Sequence, residues 1–104
     1  MEMFKINITD NAKHDIREII NYITNELHEP VVATNITNAI LDAIETLGQM
    51  PDRIALVKDK RLSALGIRPL YVKNYTIFFR IDKSLNTVDI VRVQYSHRDW
   101  ASIL

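Results

Sequence analysis

Residues 66–104, GIRPLYVKNYTIFFRIDKSLNTVDIVRVQYSHRDWASIL, decide the fold of this chain. Side chains alternate along 75–82, so one face of a predicted strand carries Tyr75, Ile77, Phe79 and Ile81 and the other carries Thr76, Phe78, Arg80 and Asp82. Residues 83–86 predict a turn, and the β-branched residues of 88–93 predict a returning strand. The segment is therefore predicted to form three short strands joined by two tight turns, followed by a polar tail.

The residues before this segment are predicted to form its scaffold. Residues 4–8 alternate between apolar and polar side chains, which is the period of a half-buried strand. Thr9 is a good N-cap for an amphipathic helix over 10–26. Pro30 suits the first turn of a second helix, whose apolar stripe runs over 32–47. The short connection between the helices predicts an antiparallel hairpin that packs on one face of the sheet.

The segment 52–67 contains clustered Lys and Arg residues, and it predicts an exposed basic loop or a short irregular helix. Its isoleucine and leucine side chains are expected to attach it to the core. The predicted element order is β-α-α-β-β-β, and the fold class is α+β, with a helical hairpin packed on a small antiparallel sheet. A length of 104 residues suits a single domain over 1–104.

Composition excludes several kinds of site. The chain has no cysteine, which removes disulfides, iron–sulfur clusters and thiolate zinc sites. Two glycines are too few for a glycine-rich phosphate loop, and the three histidines are scattered, so neither a metal site nor a cofactor is predicted. The N-terminus lacks the apolar run of a secretory signal, and no stretch approaches the roughly 20 apolar residues of a membrane helix. We therefore expect a cytoplasmic protein that does not enter a membrane.

The zero net charge hides an asymmetry along the chain. Residues 1–52 hold three Lys/Arg against nine Asp/Glu, which gives −6, and residues 53–104 hold ten against four, which gives +6. Such a split favours a basic end that meets an acidic partner, either nucleic acid or an acidic protein segment. The alternative is that the two halves pair with each other across the fold.

The side chains with the greatest chemical potential gather toward the C-terminus. They are Arg68, Lys73, Arg80, Arg92, Tyr95, His97 and Arg98. Arginine suits phosphate geometry, His or Tyr can transfer protons, and aromatic rings can hold unstacked bases, so metal-independent RNA cleavage is one interpretation. No carboxylate general base stands beside them. The ordinary alternative is that Arg80 and Arg92 are solvated or pair with Asp82 and Asp89 across the hairpin.

Four stretches carry a family pattern. They are Thr9-x-x-Ala12-x-x-Asp15-Ile16-x-x-Ile19, the Leu-Gly-Gln-Met-Pro at 47–51, residues 68–82 and residues 88–100. In this order and spacing they resemble the RelE/ParE family of type II toxin–antitoxin toxins over nearly the whole chain. The resemblance implies a small toxin that a cognate antitoxin holds inactive, with operator DNA contacted only through the antitoxin. We expect an acidic or amphipathic antitoxin segment to lie along the sheet and the basic tail.

The family has two branches that differ in target. RelE-like members cut mRNA in the ribosomal A site, whereas ParE-like members inhibit DNA gyrase. Thr76 stands where RelE-like nucleases often carry a basic residue after the strand tyrosine, and the Tyr-x-Phe-Phe-Arg-Ile-Asp strand is more similar to the ParE-like side. The resemblance therefore favours a ParE-like gyrase inhibitor involved in plasmid stabilisation, with a RelE-like mRNA endonuclease as the alternative.

The resemblance also assigns roles to the C-terminal residues. If the chain is a nuclease, Tyr95 or His97 supplies the proton and Arg98 is the catalytic arginine. In either branch the residues predicted to bind substrate or target are Arg68, Lys73, Arg80 and Arg92. His97 replaces the first arginine of the Arg-Arg-Asp that is common on the ParE-like side, and this departure keeps the nuclease interpretation open.

Overall fold

The structure is a computed structural model that describes residues 3–97 and 104. Strands β1, β2, β3 and β4 span Lys5–Ile8, Arg68–Val72, Tyr75–Asp82 and Thr87–Tyr95, and helices α1, α2 and α3 span Asp10–Asn21, Pro30–Glu45 and Lys60–Ala64. A π-helical turn, Tyr22–Glu26, follows α1, and 3₁₀ turns occupy Thr46–Gly48 and Pro51–Arg53. None of the helices in the described ranges has the length and apolarity needed to cross a bilayer.

The four strands form one sheet in the order β1-β4-β3-β2. Strand β3 pairs antiparallel with both β2 and β4, as the alternation and the turns predict. Strand β1 pairs parallel with β4, so the sheet is mixed rather than wholly antiparallel. No local pattern could indicate this pairing, because β1 and β4 are joined through the rest of the domain rather than through a hairpin. Because β1 ends beside the middle of β4, the start of α1 lies there as well.

The helical hairpin covers one face of the sheet and forms the main core. Ile77 and Phe79 of β3 are fully buried there, and the partly buried Tyr75 and Ile81 pack against the same cluster. This confirms the predicted apolar face of the strand. The buried residues that meet them from the hairpin and from β4 are Ala12, Ile40, Ile44, Leu47, Val88, Ile90 and Val93.

A second cluster covers the opposite face of the sheet. Phe78 of β3 is buried against Val57, Leu62 and Ile67. Asp59 caps α3, because its side chain accepts a hydrogen bond from the backbone N–H of Leu62 at 3.0 Å. The segment 52–67 therefore contains the short helix that was one of its two predicted forms. Its apolar residues bury the second face, while its basic residues remain outside.

A β-bulge in β4 fixes the position of α1. The β3–β4 register shifts because Phe78 pairs with Arg92 whereas Phe79 pairs with Ile90, which leaves Val91 as the extra residue. Thr9, the predicted N-cap, accepts a hydrogen bond from the Ala12 N–H at 3.3 Å. Its hydroxyl donates to the Ile90 carbonyl oxygen at 2.7 Å. One side chain thus starts the helix and also satisfies the backbone of the bulge.

Thr9→Ala is expected to lower the free energy of unfolding by about 1–2 kcal/mol, which is the usual cost of an N-cap. The substitution also removes the hydrogen bond that the Thr9 hydroxyl donates to the Ile90 carbonyl oxygen. Thr9→Ser keeps the hydroxyl, and we expect it to retain most of the stability. Urea titration of the three proteins measures the effect, and equal losses in the Ser and Ala variants would instead assign it to the methyl group.

Candidate functional site

A groove of about 830 Å³ runs between α1 with its π-helical turn and the C-terminal part of β4. Three tyrosines belong to its wall, and the lining side chains are His14, Asp15, Glu18, Ile19, Tyr22, Ile23, Leu27, Tyr75, Arg92, Val93, Gln94 and Tyr95. Tyr22 and Leu27 are 56% and 50% exposed. Large apolar and aromatic side chains left in solvent around a concave surface are typical of a protein-binding site.

The π-helical turn shapes one wall of this groove. The predicted helix over 10–26 is confirmed in extent, but its last five residues are wound as a π-helix, with the Leu27 N–H donating to the Tyr22 carbonyl at 3.1 Å. His28 follows with a left-handed φ of 54°. Single π-helical turns occur often at functional sites because they redirect side chains. Here the turn carries Tyr22, Ile23 and Leu27, which all line the groove.

An ion pair forms the floor of the groove. Arg92 donates from Nε to Asp15 Oδ2 at 2.7 Å and from its terminal nitrogen to Oδ1 at 2.9 Å. The Val93 N–H donates to the same carboxylate at 2.9 Å, and Asp15 is only 6% exposed. The hydrogen bonds that Arg92 donates to Asp15 raise the pKa of Arg92. The interpretation that Arg92 is solvated or pairs across the hairpin is wrong, because its partner is Asp15 of α1.

The other predicted binding residues take separate partners. Arg68 donates to the Ile54 carbonyl oxygen. Arg80 pairs with Asp89 at 3.5 Å, which is the pairing across the hairpin that the sequence offered as an alternative to target binding. Lys73 is exposed at the tip of the β2–β3 hairpin. The described side chains of this set therefore do not converge on one anion. Their assignment to target binding stays a prediction.

The C-terminal aromatic residues do lie together. The rings of Tyr95 and His97 have centroids 5.2 Å apart, and those of Tyr75 and Tyr95 meet edge-on at 5.9 Å. Burial raises the pKa of Tyr75, and the neighbouring phenols of Tyr95 and Tyr22 raise it further, so this group stays protonated at neutral pH. Arg98, the predicted catalytic arginine, lies outside the described residues.

Thr76, the residue that separates the two branches of the resemblance, is in a closed environment. It is 2% exposed, and its hydroxyl lies 2.8 Å from that of Ser96. The two hydroxyls satisfy each other, so the β3 strand and the tail are joined at this point. A charged side chain here would lose solvation without a partner of opposite charge in the contacts described.

Sequence reasoning gave no role to Asp15, Tyr22 and Leu27, which line the groove. Asp15 was part of the resemblance pattern without a role, although an acid between Ala12 and Ile16 on an apolar helix face was a usable signal of a buried ion pair. Leu27 has the spacing of the apolar stripe of the predicted helix and Tyr22 lies near the edge of that stripe, so neither residue indicated a groove, although both are half exposed in the structure.

Comparisons with known proteins agree with this architecture. The model of the ParE toxin of the type II toxin–antitoxin system, parDE, matches residues 6–100. A structure of the chromosomal ParDE system from P. aeruginosa superposes with a TM-score of 0.74 at 20% identity, covering 91% of this chain and 98% of that one. The RelBE2 toxin–antitoxin complex from Mycobacterium tuberculosis gives 0.67 at 19% identity, covering 89% and 98%. No curated protein matches the chain.

Proposed function

The chain belongs to the ParE toxin family of type II toxin–antitoxin systems, and from that premise we propose that it stops growth by inhibiting DNA gyrase rather than by cutting RNA. The observation that carries the proposal is the burial of Thr76 against Ser96. A nuclease needs cations around the scissile phosphate. At this position the chain instead has a neutral side chain that is closed off from any substrate.

The arginines predicted to bind a target already have partners within the protein, and this supports the same proposal. Phosphate recognition uses guanidinium groups that are free to form two parallel hydrogen bonds. Arg92 already donates two parallel hydrogen bonds to the Asp15 carboxylate, and Arg80 and Arg68 are directed to Asp89 and to the Ile54 carbonyl. Recruiting Arg92 to RNA would require breaking an ion pair whose carboxylate is buried.

A supercoiling assay with purified gyrase tests the proposal. The toxin is expected to block supercoiling of relaxed plasmid at near-stoichiometric amounts, and prior addition of the antitoxin is expected to prevent this. In cells, DNA synthesis should stop before protein synthesis after the toxin is induced alone. Supercoiling that continues at a stoichiometric excess of toxin would contradict gyrase inhibition.

The second candidate function is ribosome-dependent mRNA cleavage, which the Tyr95–His97 contact favours. Two proton-transferring side chains 5.2 Å apart, ring to ring, beside the C-terminal tail suit general acid catalysis. The double substitution Tyr95→Phe with His97→Ala removes both side-chain groups that could donate a proton. Toxicity that survives the double substitution would exclude this function, and its loss together with unchanged gyrase inhibition would favour it.

The groove is proposed as the antitoxin-binding site. It combines three aromatic side chains with exposed apolar side chains of the hairpin, and it ends beside Tyr95, the last residue of β4. An amphipathic helix laid in such a groove buries its apolar face and covers the end of β4 in the same step. The two superposed structures are described as toxin–antitoxin systems, which supports the same class of partner.

Leu27→Ala is expected to weaken antitoxin binding by about 30-fold, which corresponds to about 2 kcal/mol for a central interface residue. The fold should lose little stability, because the side chain is half exposed in the free toxin. Leu85→Ala is the matched control, since Leu85 is 70% exposed in the β3–β4 turn, away from the groove. Titration calorimetry with the antitoxin measures both, and equal affinities of the two variants would place the antitoxin elsewhere.

A further inference from the structure

The groove contains one negative charge that the toxin itself does not balance. Among the lining side chains that the structure describes, Arg92 is the only Lys or Arg. Its guanidinium donates two hydrogen bonds to the Asp15 carboxylate, so these two charges cancel each other. The charge that is left over belongs to the carboxylate of Glu18, which also lines the groove.

The Glu18 carboxylate is accessible from outside the toxin. Its side chain is 66% exposed, and its one ion-pair contact within residues 3–97 and 104 is with the imidazole of His14, at 3.7 Å. Only a protonated imidazole neutralises a carboxylate, and exposed ion pairs contribute little even then. The carboxylate is therefore available to a cation that a binding partner supplies.

Aromatic rings lie in the same groove as this carboxylate. The Tyr22 N–H donates to the Glu18 carbonyl oxygen, so the two residues are one helical turn apart and their side chains are neighbours. On the sheet side, the rings of Tyr75 and Tyr95 meet edge-on at 5.9 Å. Tyr22 and Tyr95 are 56% and 42% exposed. Exposed tyrosine rings attract the cations of arginine and lysine, which adds to the attraction of a carboxylate.

The charge distribution of the chain favours the same kind of partner. The helical wall of the groove belongs to residues 1–52, whose net charge is −6. A surface potential of one sign draws groups of the opposite sign, so this wall favours a cationic segment and disfavours an acidic one. An acidic antitoxin segment suits the basic half of the chain, but it does not suit this groove.

We propose that the groove binds an arginine or lysine of the antitoxin helix, with its cation on the Glu18 carboxylate and against the Tyr22 ring. The inference rests on the proposed placement of the antitoxin in the groove, and it names what the helix presents there, an apolar face interrupted by one cation. The contact also selects between antitoxins. A helix with an acidic or neutral residue at that point would leave Glu18 without a partner of opposite charge.

Removal of the Glu18 charge tests the proposal. Glu18→Gln keeps the shape of the side chain, and we expect it to raise the Kd of the antitoxin about tenfold in titration calorimetry at low salt. Glu18→Lys places two cations together and should raise the Kd about 100-fold. Glu45→Gln is the matched control, because Glu45 is an exposed carboxylate of α2 that does not line the groove. Its Kd should equal that of the wild type.

The ring is tested by two substitutions at Tyr22. Tyr22→Phe keeps the aromatic face, and its Kd should stay within about twofold of the wild type. Tyr22→Leu keeps an apolar side chain without the face, and its Kd should rise about fivefold. Equal affinities of these two variants would show that Tyr22 contributes apolar area only, and would overturn its part in the contact.

A double-mutant cycle identifies the cation on the antitoxin. Each arginine and lysine of the antitoxin is replaced by glutamine and titrated against the wild-type toxin and against Glu18→Gln. The partner of Glu18 is the residue whose replacement weakens binding to the wild type about tenfold but hardly changes binding to Glu18→Gln. If every replacement has the same effect on both toxins, no antitoxin cation contacts Glu18 and the proposal is overturned.

The outcomes separate this inference from the placement on which it rests. If Leu27→Ala leaves the affinity unchanged, the antitoxin binds elsewhere, and the cation contact fails together with the proposed placement. If Leu27→Ala weakens binding while Glu18→Gln binds as the wild type does, the groove holds the antitoxin and only the cation contact is overturned. Tighter binding by Glu18→Gln would overturn it as well, because the antitoxin would then present an acidic or apolar residue to Glu18.

Discussion

Asp15→Ala is expected to lower the free energy of unfolding by about 3–5 kcal/mol, the cost of removing one partner of a buried ion pair. The substitution leaves the Arg92 guanidinium without its two hydrogen bonds and the Val93 N–H without its acceptor. Because small domains have a total free energy of unfolding of about 5–15 kcal/mol, this one substitution is expected to remove a large share of the stability. The loss should appear as a lower urea midpoint.

Two further variants show whether the charge or the packing of Asp15 is responsible. Glu18→Ala, one turn along α1, removes an exposed carboxylate that lies 3.7 Å from His14, so its effect should stay within about 0.5 kcal/mol. Replacing Asp15 and Arg92 together with leucine should recover most of the loss, because apolar side chains of similar size often replace a buried pair at little cost. A double variant as unstable as Asp15→Ala would contradict this account.

Much of the fold was predictable because local patterns specify it. The alternation along 75–82 identified the face of β3 that the hairpin covers, and Thr9 marked the start of α1. The extent of the first helix, 10–26, was also correct. These features depend on side-chain period and capping, which any short window of the chain contains.

The features that sequence reasoning missed depend on contacts between distant segments. The bulge at Val91 interrupts the alternation of β4, and the only local sign of it is the run of Ile90 and Val91 within an alternating strand. The parallel pairing of β1 has no local sign at all. The groove also depends on contacts between distant segments, since the Asp15–Arg92 pair forms its floor and the π-helical turn forms part of its wall.

The charge split between the halves is explained only in part. Asp15–Arg92 joins the acidic half to the basic half, as the pairing interpretation expected. Lys58 and Lys60, however, have no ion-pair partner among the residues that the structure describes, and both are exposed. The basic surface beside α3 therefore remains open to an acidic partner, whereas Arg92 is committed to the fold.

The second core cluster determines whether that basic surface has a fixed shape. Phe78 is fully buried in it, with Val57, Leu62 and Ile67 around the ring. Sequence reasoning placed Phe78 on the same face as Thr76 and Arg80, which is correct. The position of α3 over this face was left open, because the leucine spacing in 52–67 identifies no partner.

Phe78→Ala is expected to lower the free energy of unfolding by about 3–5 kcal/mol through lost burial and the cavity it leaves. The ring is the part of β3 on which α3 packs, so the segment 57–67 should also separate from the sheet. Hydrogen exchange would then be faster at the Val57 and Ile67 N–H groups, the first of which is bonded to the Ile67 carbonyl at 3.0 Å. Leu85→Ala, at an exposed position, should change neither stability nor exchange. If Phe78→Ala loses stability without faster exchange in 57–67, the basic segment is held by contacts other than this cluster, and its shape is independent of the core.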